Sequence, residues 1–282
     1  MRAGFSFSLP AFATGGNRGP LRKRNRVEND DGFDAIYAAI ARSPAYRAAA
    51  RELAHPLPEW VIPFSSMTAT DAYRICAIPI GEDETLVDLG CGTGGAALWI
   101  AGLLQASVVG VDTSRAAIAS ARALAVELGR SERTRFEVAD ASTTGLADES
   151  VALAISFDAL MFMRAGPVVK EVARILRPGG FFAFTVAEWI SDDRAPIPTV
   201  ERAYAPLLEE NGLAVIQEMT LDPDRGLPLY RGLLARETEL RAEMGPPAEM
   251  LLSQAREHLE RAGRRRIRDV FFIARRPKES AR

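Results

Sequence analysis

The sequence predicts an α/β fold built on a mainly parallel sheet. Residues 85–101, TLVDLGCGTGGAALWIA, combine a short apolar run, a glycine-rich turn and an apolar segment with helical character. Such a strand–glycine–helix unit binds nucleotide-like ligands in open α/β sheets. Apolar runs then alternate with helical patterns along the chain, as in βαβ units. With 282 residues, 48% of them hydrophobic, the chain is long enough for one full α/β domain with additions.

Each apolar run bounded by turn residues predicts one strand. The run at 151–157 is continuously apolar, which is typical of a central strand buried on both faces. Helix 168–176 is predicted to stop at the sequence RPGG, residues 177–180. The predicted strands cover residues 85–89, 107–111, 136–140, 151–157, 181–186, 213–219 and 268–274. The predicted helices cover residues 32–54 with a restart at Ser43 and Pro44, then 70–77, 96–104, 116–128, 168–176 and 200–210.

The two ends of the chain are predicted to be tails. Residues 1–27 are rich in Gly, Ser, Pro and Arg, so we expect a disordered tail over 1–31 and a short one at 277–282. A targeting leader is the alternative, because the chain starts basic and has an Ala-x-Ala-like site at 11–13. Ser6, Ser8 and Pro10 interrupt the apolar stretch that a secretory signal needs, which favours a cytoplasmic protein.

Residues 32–79 are predicted to form a helical lid ahead of the first strand. Prolines punctuate the stretch from residue 56 to residue 63, with Trp60 and Phe64 close by. Such a segment could close over a ligand, and we expect Phe64 and Ser65 to contact it. The alternative is that Trp60 and Phe64 only pack the N-terminal helices onto the core.

Composition excludes several classes of function. The net charge is −2, so there is no general basic field that would favour nucleic acid. The two cysteines, Cys76 and Cys91, lack metal-ligand spacing and indicate no disulfide framework. The two histidines lie far apart in sequence, which argues against a metal site or a Ser-His-Asp triad. No apolar stretch approaches the roughly 20 residues that span a bilayer, so no membrane partner is expected. The sequence indicates no oligomeric state.

Two classes of ligand compete for the glycine turn. Gly90, Gly92 and Gly95 match the spacing of a dinucleotide fingerprint, which is a weak signal alone. The alternative is the acid-x-Gly-x-Gly-x-Gly pattern of S-adenosylmethionine sites, present here as DLGCGTG at 88–94. Asp88 favours S-adenosylmethionine over a dinucleotide, since a buried carboxylate is costly without a partner. The cationic methionyl group is such a partner, whereas a pyrophosphate is anionic.

Acids also follow the next two predicted strands. Asp112 comes about 20 residues after the first glycine, where an acid accepts hydrogen bonds from both ribose hydroxyls. Its alternative role is the N-cap of the helix that follows. Asp140 ends the third strand; if the ligand is S-adenosylmethionine, Asp140 would accept from its adenine amino group while the Ala141 N–H donates to the ring. The alternative for Asp140 is an ordinary turn residue.

Five motifs follow one another along the chain: VDLGCGTGG at 87–95, VVGVDTS at 108–114, FEVADA at 136–141, SFDAL at 156–160 and ILRPGGFF at 175–182. It is their joint order and spacing that is specific, rather than any one motif. On these motifs the chain resembles a class I S-adenosylmethionine-dependent methyltransferase of the small-molecule type. The resemblance covers residues 80–276, and residues from about 33 look similar to the lids of such enzymes.

The resemblance implies a Rossmann-like, seven-stranded, mostly parallel sheet of order 3-2-1-4-5-7-6 with only the seventh strand antiparallel. It also implies S-adenosylmethionine as cofactor. Its methionyl part would lie near Gly90, Cys91 and Gly92, its ribose at Asp112 and Thr113, its adenine at Asp140 and Ala141, and its sulfonium beside Phe157.

The chain departs from this family after the fourth strand. Many members have a histidine pair there, whereas residues 158–162 are DALMF. Asp158 and Glu188, both predicted at strand carboxyl ends, are the remaining hypothetical bases. Residues 156–159, SFDA, do not match the Asn/Asp-Pro-Pro-aromatic motif of enzymes that methylate nucleic-acid amines, which argues against that substrate.

Residues 221–267 are predicted to insert two amphipathic helices before the last strand. Leu229, Leu233, Leu240 and Met244 form the stripe of the first helix. The insertion would form a wall for the acceptor or simply cover the sheet. The function expected is methyl transfer to a small, hydrophobic acceptor, with the methylated atom left open. The alternatives are a dinucleotide-dependent oxidoreductase and a non-catalytic or pericyclase-like S-adenosylmethionine-binding protein.

Overall fold

A computed structural model describes residues 30–53, 57–190, 203–261 and 267–278. The tails predicted at 1–31 and 277–282 therefore lie outside the described residues, apart from Asp30 and Asp31, which begin the first helix, and residues 277 and 278. The tail predictions, the targeting alternative and the domain bounds stay predictions. No helix in the described ranges is long and apolar enough to cross a membrane.

The sheet has the order that the family resemblance implies. Its strands run in the order β3-β2-β1-β4-β5-β7-β6, and the strands β1 to β5 pair in parallel. Strand β7 pairs antiparallel with both β5 and β6. The strands are β1 Thr85–Leu89, β2 Ser107–Asp112, β3 Thr134–Val138, β4 Val151–Phe157, β5 Leu176–Trp189, β6 Ala214–Thr220 and β7 Ile267–Arg275.

Helices pack on both faces of the sheet. The predicted restart at Ser43 is confirmed, because its hydroxyl accepts from the Tyr46 N–H at 3.0 Å and caps the second helix. The described part of predicted helix 200–210 is helical from Ala205 onward, and residues 200–202 lie outside the described ranges. The helices are α1 Asp30–Ile40, α2 Pro44–Ala50, α3 Ala69–Cys76, α4 Gly95–Leu104, α5 Arg115–Glu127, α6 Ala165–Ile175, α7 Ala205–Glu210, α8 Leu227–Ala235, α9 Glu237–Met244 and α10 Pro247–Arg261.

The insertion contains three described helices, so the prediction of two was wrong. The predicted first helix breaks at Arg236, whose φ of −115° and ψ of 25° leave helical geometry. The guanidinium of Arg236 donates to the Gly232 carbonyl at 3.0 Å and pairs with Glu52 at 2.6 Å. The break lets both α8 and α9 contact α2, which one straight helix would not allow.

Three apolar cores hold these layers together. Alternation along β1 sends Leu86 to the core on one face of the sheet and Val87 to the core on the other. A third core joins the N-terminal helices to the insertion, with Ile40, Tyr46 and Leu240 buried in it. We call α1, α2 and α8–α10 the helical cap. Two segments far apart in sequence therefore pack into one helical layer.

Candidate active site

A cavity of about 1220 Å³ lies at the carboxyl edge of β1 to β4. Its wall includes the residues that follow four strands, namely Gly90, Thr113, Asp140 and Asp158. Pockets for one drug-sized ligand commonly measure about 300–1,000 Å³. The cavity is therefore large enough for two small molecules side by side.

The glycine turn after β1 borders this cavity and requires glycine for two reasons. Gly90, Gly92 and Gly94 have φ values of +77°, +51° and +75°, which other residues rarely adopt. A Cβ at Gly90 would also lie 2.6 Å from the Ala159 Cβ, and one at Gly92 would lie 2.9 Å from the Tyr37 hydroxyl oxygen. Helix α4 begins directly after the turn, so its N-terminal N–H groups lie at the cavity.

Asp112 ties the glycine turn to the end of β2. One carboxylate oxygen accepts from the Gly92 N–H and the other from the Ser114 N–H, both at 2.9 Å. Ser114, rather than Asp112, is the N-cap of α5, since its hydroxyl accepts from the Ala117 N–H at 3.1 Å. Asp112 and Thr113 both line the cavity, as expected of ribose-binding residues.

Asp140 and Ala141 line the same side of the cavity. One oxygen of Asp140 accepts from the Ser142 N–H and hydroxyl, both at 2.7 Å, so Asp140 also shapes a turn. Val138 at the end of β3 is 40% exposed and lines the cavity beside them. Its exposed apolar side chain was not singled out from the sequence, where it had the pattern of an ordinary strand residue.

Asp88 is a buried carboxyl at the cavity. It is 2% exposed and lies inside β1. Burial, with a smaller contribution from the nearby Asp112 carboxylate, raises the pKa of Asp88 to about 8. Over the part of the chain that the structure describes, no group hydrogen-bonds this carboxyl. The site therefore favours a cation beside Asp88, because a positive charge would stabilise its ionised form. Burial likewise raises the pKa of the neighbouring Cys91 thiol, which stays neutral.

Aromatic side chains form a further part of the cavity wall. Phe33 from α1 makes edge-to-face contacts with Phe64 and Phe162, at ring-centroid distances of 6.5 Å and 5.9 Å. Tyr37 contacts Phe64 in the same way at 5.9 Å. Phe64 thus lies at the cavity, whereas Trp60 packs against the core of the sheet. Phe33, Tyr37 and Phe162 were not identified from the sequence, where their spacing looks like that of core residues.

Three further predicted residues, Ser65, Phe157 and Asp158, line the cavity. The Ser65 hydroxyl accepts from the Met67 N–H at 3.2 Å. Asp158 has a φ of +50° and accepts from both the N–H and the hydroxyl of Ser66 at 3.0 Å. It also accepts from the Thr185 hydroxyl at 2.7 Å and from Arg225 at 3.1 Å.

These donors decide the protonation state of Asp158. Burial by itself would raise the pKa of Asp158, but Arg225 and the donors from Thr185 and Ser66 outweigh burial and lower that pKa. A carboxylate with a lowered pKa is a weak proton acceptor. The structure therefore places Asp158 at the cavity but gives it a structural set of contacts.

The sequence analysis placed Glu188 at the site, and the structure corrects this, because Glu188 is not among the residues that line the cavity. Strand β5 continues to Trp189, so Glu188 is inside a paired strand, opposite Arg268 of β7. Its buried carboxylate pairs with Arg268 at 2.5 Å and accepts from the Tyr204 N–H at 2.9 Å. The expectation of a site residue assumed that β5 ends earlier.

The chain is similar to known proteins in both sequence and fold. The family described as "Methyltransferase domain" matches residues 87–184. The 27-O-demethylrifamycin SV methyltransferase of Amycolatopsis mediterranei is 27% identical over 66% of this chain and 70% of its own length. The crystal structure of the [4+2]-cyclase SpnF superposes with a TM-score of 0.69 at 22% identity, over 87% of this chain and 95% of that one. A geranyl diphosphate methyltransferase in complex with S-adenosylmethionine gives a TM-score of 0.57 at 23% identity, over 73% and 84% of the two chains.

Residues 87–184 therefore form a methyltransferase domain, and the sheet has the fold of the class I S-adenosylmethionine-dependent methyltransferases. The match with this family spans the glycine turn, Asp112, Asp140 and Asp158, all of which lie at the cavity. The structural likenesses, being below 25% identity, bear on the fold alone. The alignments with curated relatives cover from 29% to 70% of the relatives' own lengths.

Proposed function

We propose that this protein transfers the methyl group of S-adenosylmethionine to a small, mainly apolar acceptor. One observation supports this most strongly: a single cavity has a polar side and an aromatic side. Gly92, Asp112 and Asp140 belong to the first side, and Phe64 and Phe162 to the second. A cofactor and an acceptor would then meet at the end of β4.

The polar side offers groups that suit each part of the cofactor. Asp112 and Thr113 would hold the ribose hydroxyls, because a carboxylate has several lone pairs for two hydroxyl donors. Asp140 and Ala141 would hold the adenine against the exposed face of Val138. The turn from Gly90 through Cys91 to Gly92 would lie along the methionyl part, with Phe157 near the sulfonium.

Asp88 suits the positive charge of the cofactor. Its carboxyl is buried beside the turn and has no cationic partner in the described part of the chain. A dinucleotide would bring an anionic pyrophosphate to the same turn, where it would repel Asp112 and an ionised Asp88. This charge argument favours S-adenosylmethionine over a dinucleotide.

The bound cofactor supplies a methyl group made electrophilic by its positively charged sulfur. Gly90, Cys91 and Gly92 would hold its methionyl part and Phe157 would lie beside the sulfonium, which would give up its methyl group to the acceptor with sulfur as the leaving group. In-line displacement of this kind gains most from placing the two reactants in contact. The cavity would supply that placement, and its aromatic side chains would offer the acceptor an apolar surface.

The contacts of Asp158 indicate which acceptors suit the site. Four donors already engage its carboxylate, and burial raises the pKa of Tyr37 well above its usual value, so neither group is a good base at neutral pH. We therefore expect acceptors whose nucleophile is available without a strong base, such as phenols, enols, carboxylic acids and amines. Their protons can leave to water.

The test is a methylation screen with purified protein. S-Adenosylmethionine is incubated with phenols, amines, carboxylic acids and aliphatic alcohols, and both S-adenosylhomocysteine and the methylated acceptor are measured by mass spectrometry. The first three groups should yield products that the Asp112→Ala variant does not form. Cofactor binding with an acceptor that rearranges but gains no methyl would favour a pericyclase-like protein instead. Binding of NAD alone would favour the oxidoreductase.

A further inference from the structure

Arg225 lies at the centre of a buried charged cluster behind the cavity. Its side chain is 7% exposed, and its two terminal nitrogens lie 3.1 Å from an Asp71 oxygen and 3.1 Å from an Asp158 oxygen. Its Nε lies 3.8 Å from an Asp269 oxygen. One guanidinium therefore faces three carboxylates, and among these Asp158 is the one that lines the cavity.

The members of this cluster come from four separate parts of the fold. Asp71 forms a capping box with Thr68 at the start of α3. Asp158 follows β4, Asp269 belongs to β7, and Arg225 directly precedes the first helix of the insertion. Arg225 therefore fixes the start of the insertion against the sheet and against α3.

Asp158 links Arg225 to the cavity wall. We call residues 62–67 the wall segment, because Phe64, Ser65 and Met67 in it line the cavity. The wall segment is bound by one Asp158 oxygen, which accepts from the N–H and the hydroxyl of Ser66. The other oxygen accepts from Arg225 and from the Thr185 hydroxyl.

The backbone of Asp158 needs this support. Its φ of +50° is a left-handed value that is uncommon outside glycine, although aspartate adopts it more readily than most residues, so the contacts of its carboxylate help to hold it there. Without Arg225, the Asp158 carboxylate would lose its one cationic donor and remain partly buried. It would then be expected to turn toward water and release Ser66.

We propose that Arg225 is a positioning residue for ligand binding, which acts through Asp158 to hold the wall segment over the cavity. Asp158 is then the anchor of this wall and not a general base. The inference rests on the proposed function where the ligand is S-adenosylmethionine or its product, but the placement of the wall segment can be measured without any ligand.

A matched control separates positioning from stability. Arg174 pairs with Glu171, whose side chain is 8% exposed, and with Asp148, and none of these three residues lines the cavity. Arg174→Gln should therefore lower the free energy of unfolding without loosening the wall segment. Arg225→Gln should both lower the free energy of unfolding and loosen the wall segment. Arg225→Lys should keep part of the affinity for the ligand, because it keeps the positive charge.

The first measurement is hydrogen exchange at the Ser66 amide in the ligand-free protein. This N–H donates to Asp158 at 3.0 Å, so its exchange reports the contact directly. Relative to the most slowly exchanging amides of β4, Arg225→Gln should accelerate exchange at Ser66 about tenfold, the loss expected for one charged hydrogen bond. Arg174→Gln should leave the ratio of the exchange rate at Ser66 to that of the slowest β4 amides unchanged. An unchanged ratio in Arg225→Gln would overturn the proposal.

The second measurement is calorimetric binding of S-adenosylhomocysteine. Arg225→Gln should raise its Kd about tenfold, while Arg225→Lys should raise it less and Arg174→Gln should not change it. If the wild type bound no S-adenosylhomocysteine, the proposed function would fail, and the exchange at Ser66 would still decide the positioning role.

A milder variant covers the case in which Arg225→Gln does not fold. Ser66→Ala removes one of the two donors that Ser66 offers to Asp158 and leaves all charges in place. It should weaken binding of S-adenosylhomocysteine about threefold to tenfold. If Ser66→Ala and Arg225→Lys both bound as tightly as the wild type, Arg225 would have only a structural role.

Discussion

Replacing Asp88 by Asn should change how the stability of the ligand-free protein depends on pH. Burial raises the pKa of Asp88 to about 8 in the folded protein, and the nearby Asp112 carboxylate adds to the rise. The unfolded chain has an ordinary aspartate pKa of about 3.9. The folded state therefore binds a proton that the unfolded state loses. Stability from this group is fully present below the unfolded pKa and is lost as the pH rises through about 8.

The size of the effect follows from the two pKa values. A difference of about four pKa units corresponds to about 6 kcal/mol in full, of which about 2.5 kcal/mol is lost between pH 5 and pH 7. Asn at position 88 does not titrate, so the variant lacks this loss. For a chain of this size, the difference amounts to roughly 5–10 °C in Tm over that pH range.

The assay is chemical denaturation of ligand-free wild type and Asp88→Asn at pH 5, 6, 7 and 8. The quantity of interest is the difference between the two pH profiles, because every other titrating group is common to both proteins. Asp224→Asn is the matched control, since Asp224 is exposed and far from the cavity lining. It should follow the wild-type profile. Parallel profiles for wild type and Asp88→Asn would refute the reasoning that Asp88 is buried without a cation.

The remaining predictions concern the cavity and its surroundings. S-Adenosylmethionine binding at pH 7 should release close to one proton from Asp88, seen as a buffer-dependent calorimetric enthalpy, and no buffer dependence would contradict this. Asp112→Ala should weaken cofactor binding by about 10- to 150-fold, the loss expected for hydrogen bonds to a charged group, whereas an unchanged Kd would remove Asp112 from the site. Gly90→Ala should destabilise the protein by more than Gly129→Ala, because both have positive φ but only Gly90 lacks space for a Cβ; equal losses on denaturation would mean that strain alone matters. Glu188→Gln should lower the Tm with kcat unchanged, and a large loss of kcat would restore Glu188 as a catalytic candidate.

The sheet was predictable because its strands carry strong local patterns. Strand β4 occupies Val151–Phe157, as predicted, because burial on both faces makes it apolar throughout. Strand β3 ends two residues before Asp140, whose side chain bonds Ser142 and turns the chain. The prediction for β5 started late, since its first residues include glycines. A Cβ at Gly180 would lie 3.1 Å from the Ala152 carbonyl, so glycine there permits close strand pairing instead of ending it.

The lining of the cavity by Asp112, Asp140 and Asp158 was predictable for the same reason. Its acids lie where parallel strands end, and those ends share one edge of the sheet. The acceptor side depends on contacts between residues far apart in sequence. Phe33 meets Phe162, and Arg225 meets Asp71, only after the N-terminal helices and the insertion have packed into one cap. No local pattern at Arg225 distinguishes it from an exposed arginine.

The most direct test of the central claim is a calorimetric titration of purified protein with S-adenosylmethionine, S-adenosylhomocysteine and NAD, repeated with Asp112→Ala. We predict that the first two bind to the wild type, that Asp112→Ala binds them much more weakly, and that NAD does not bind. If NAD bound and neither S-adenosyl compound did, the cofactor and every role assigned to the cavity residues would be contradicted.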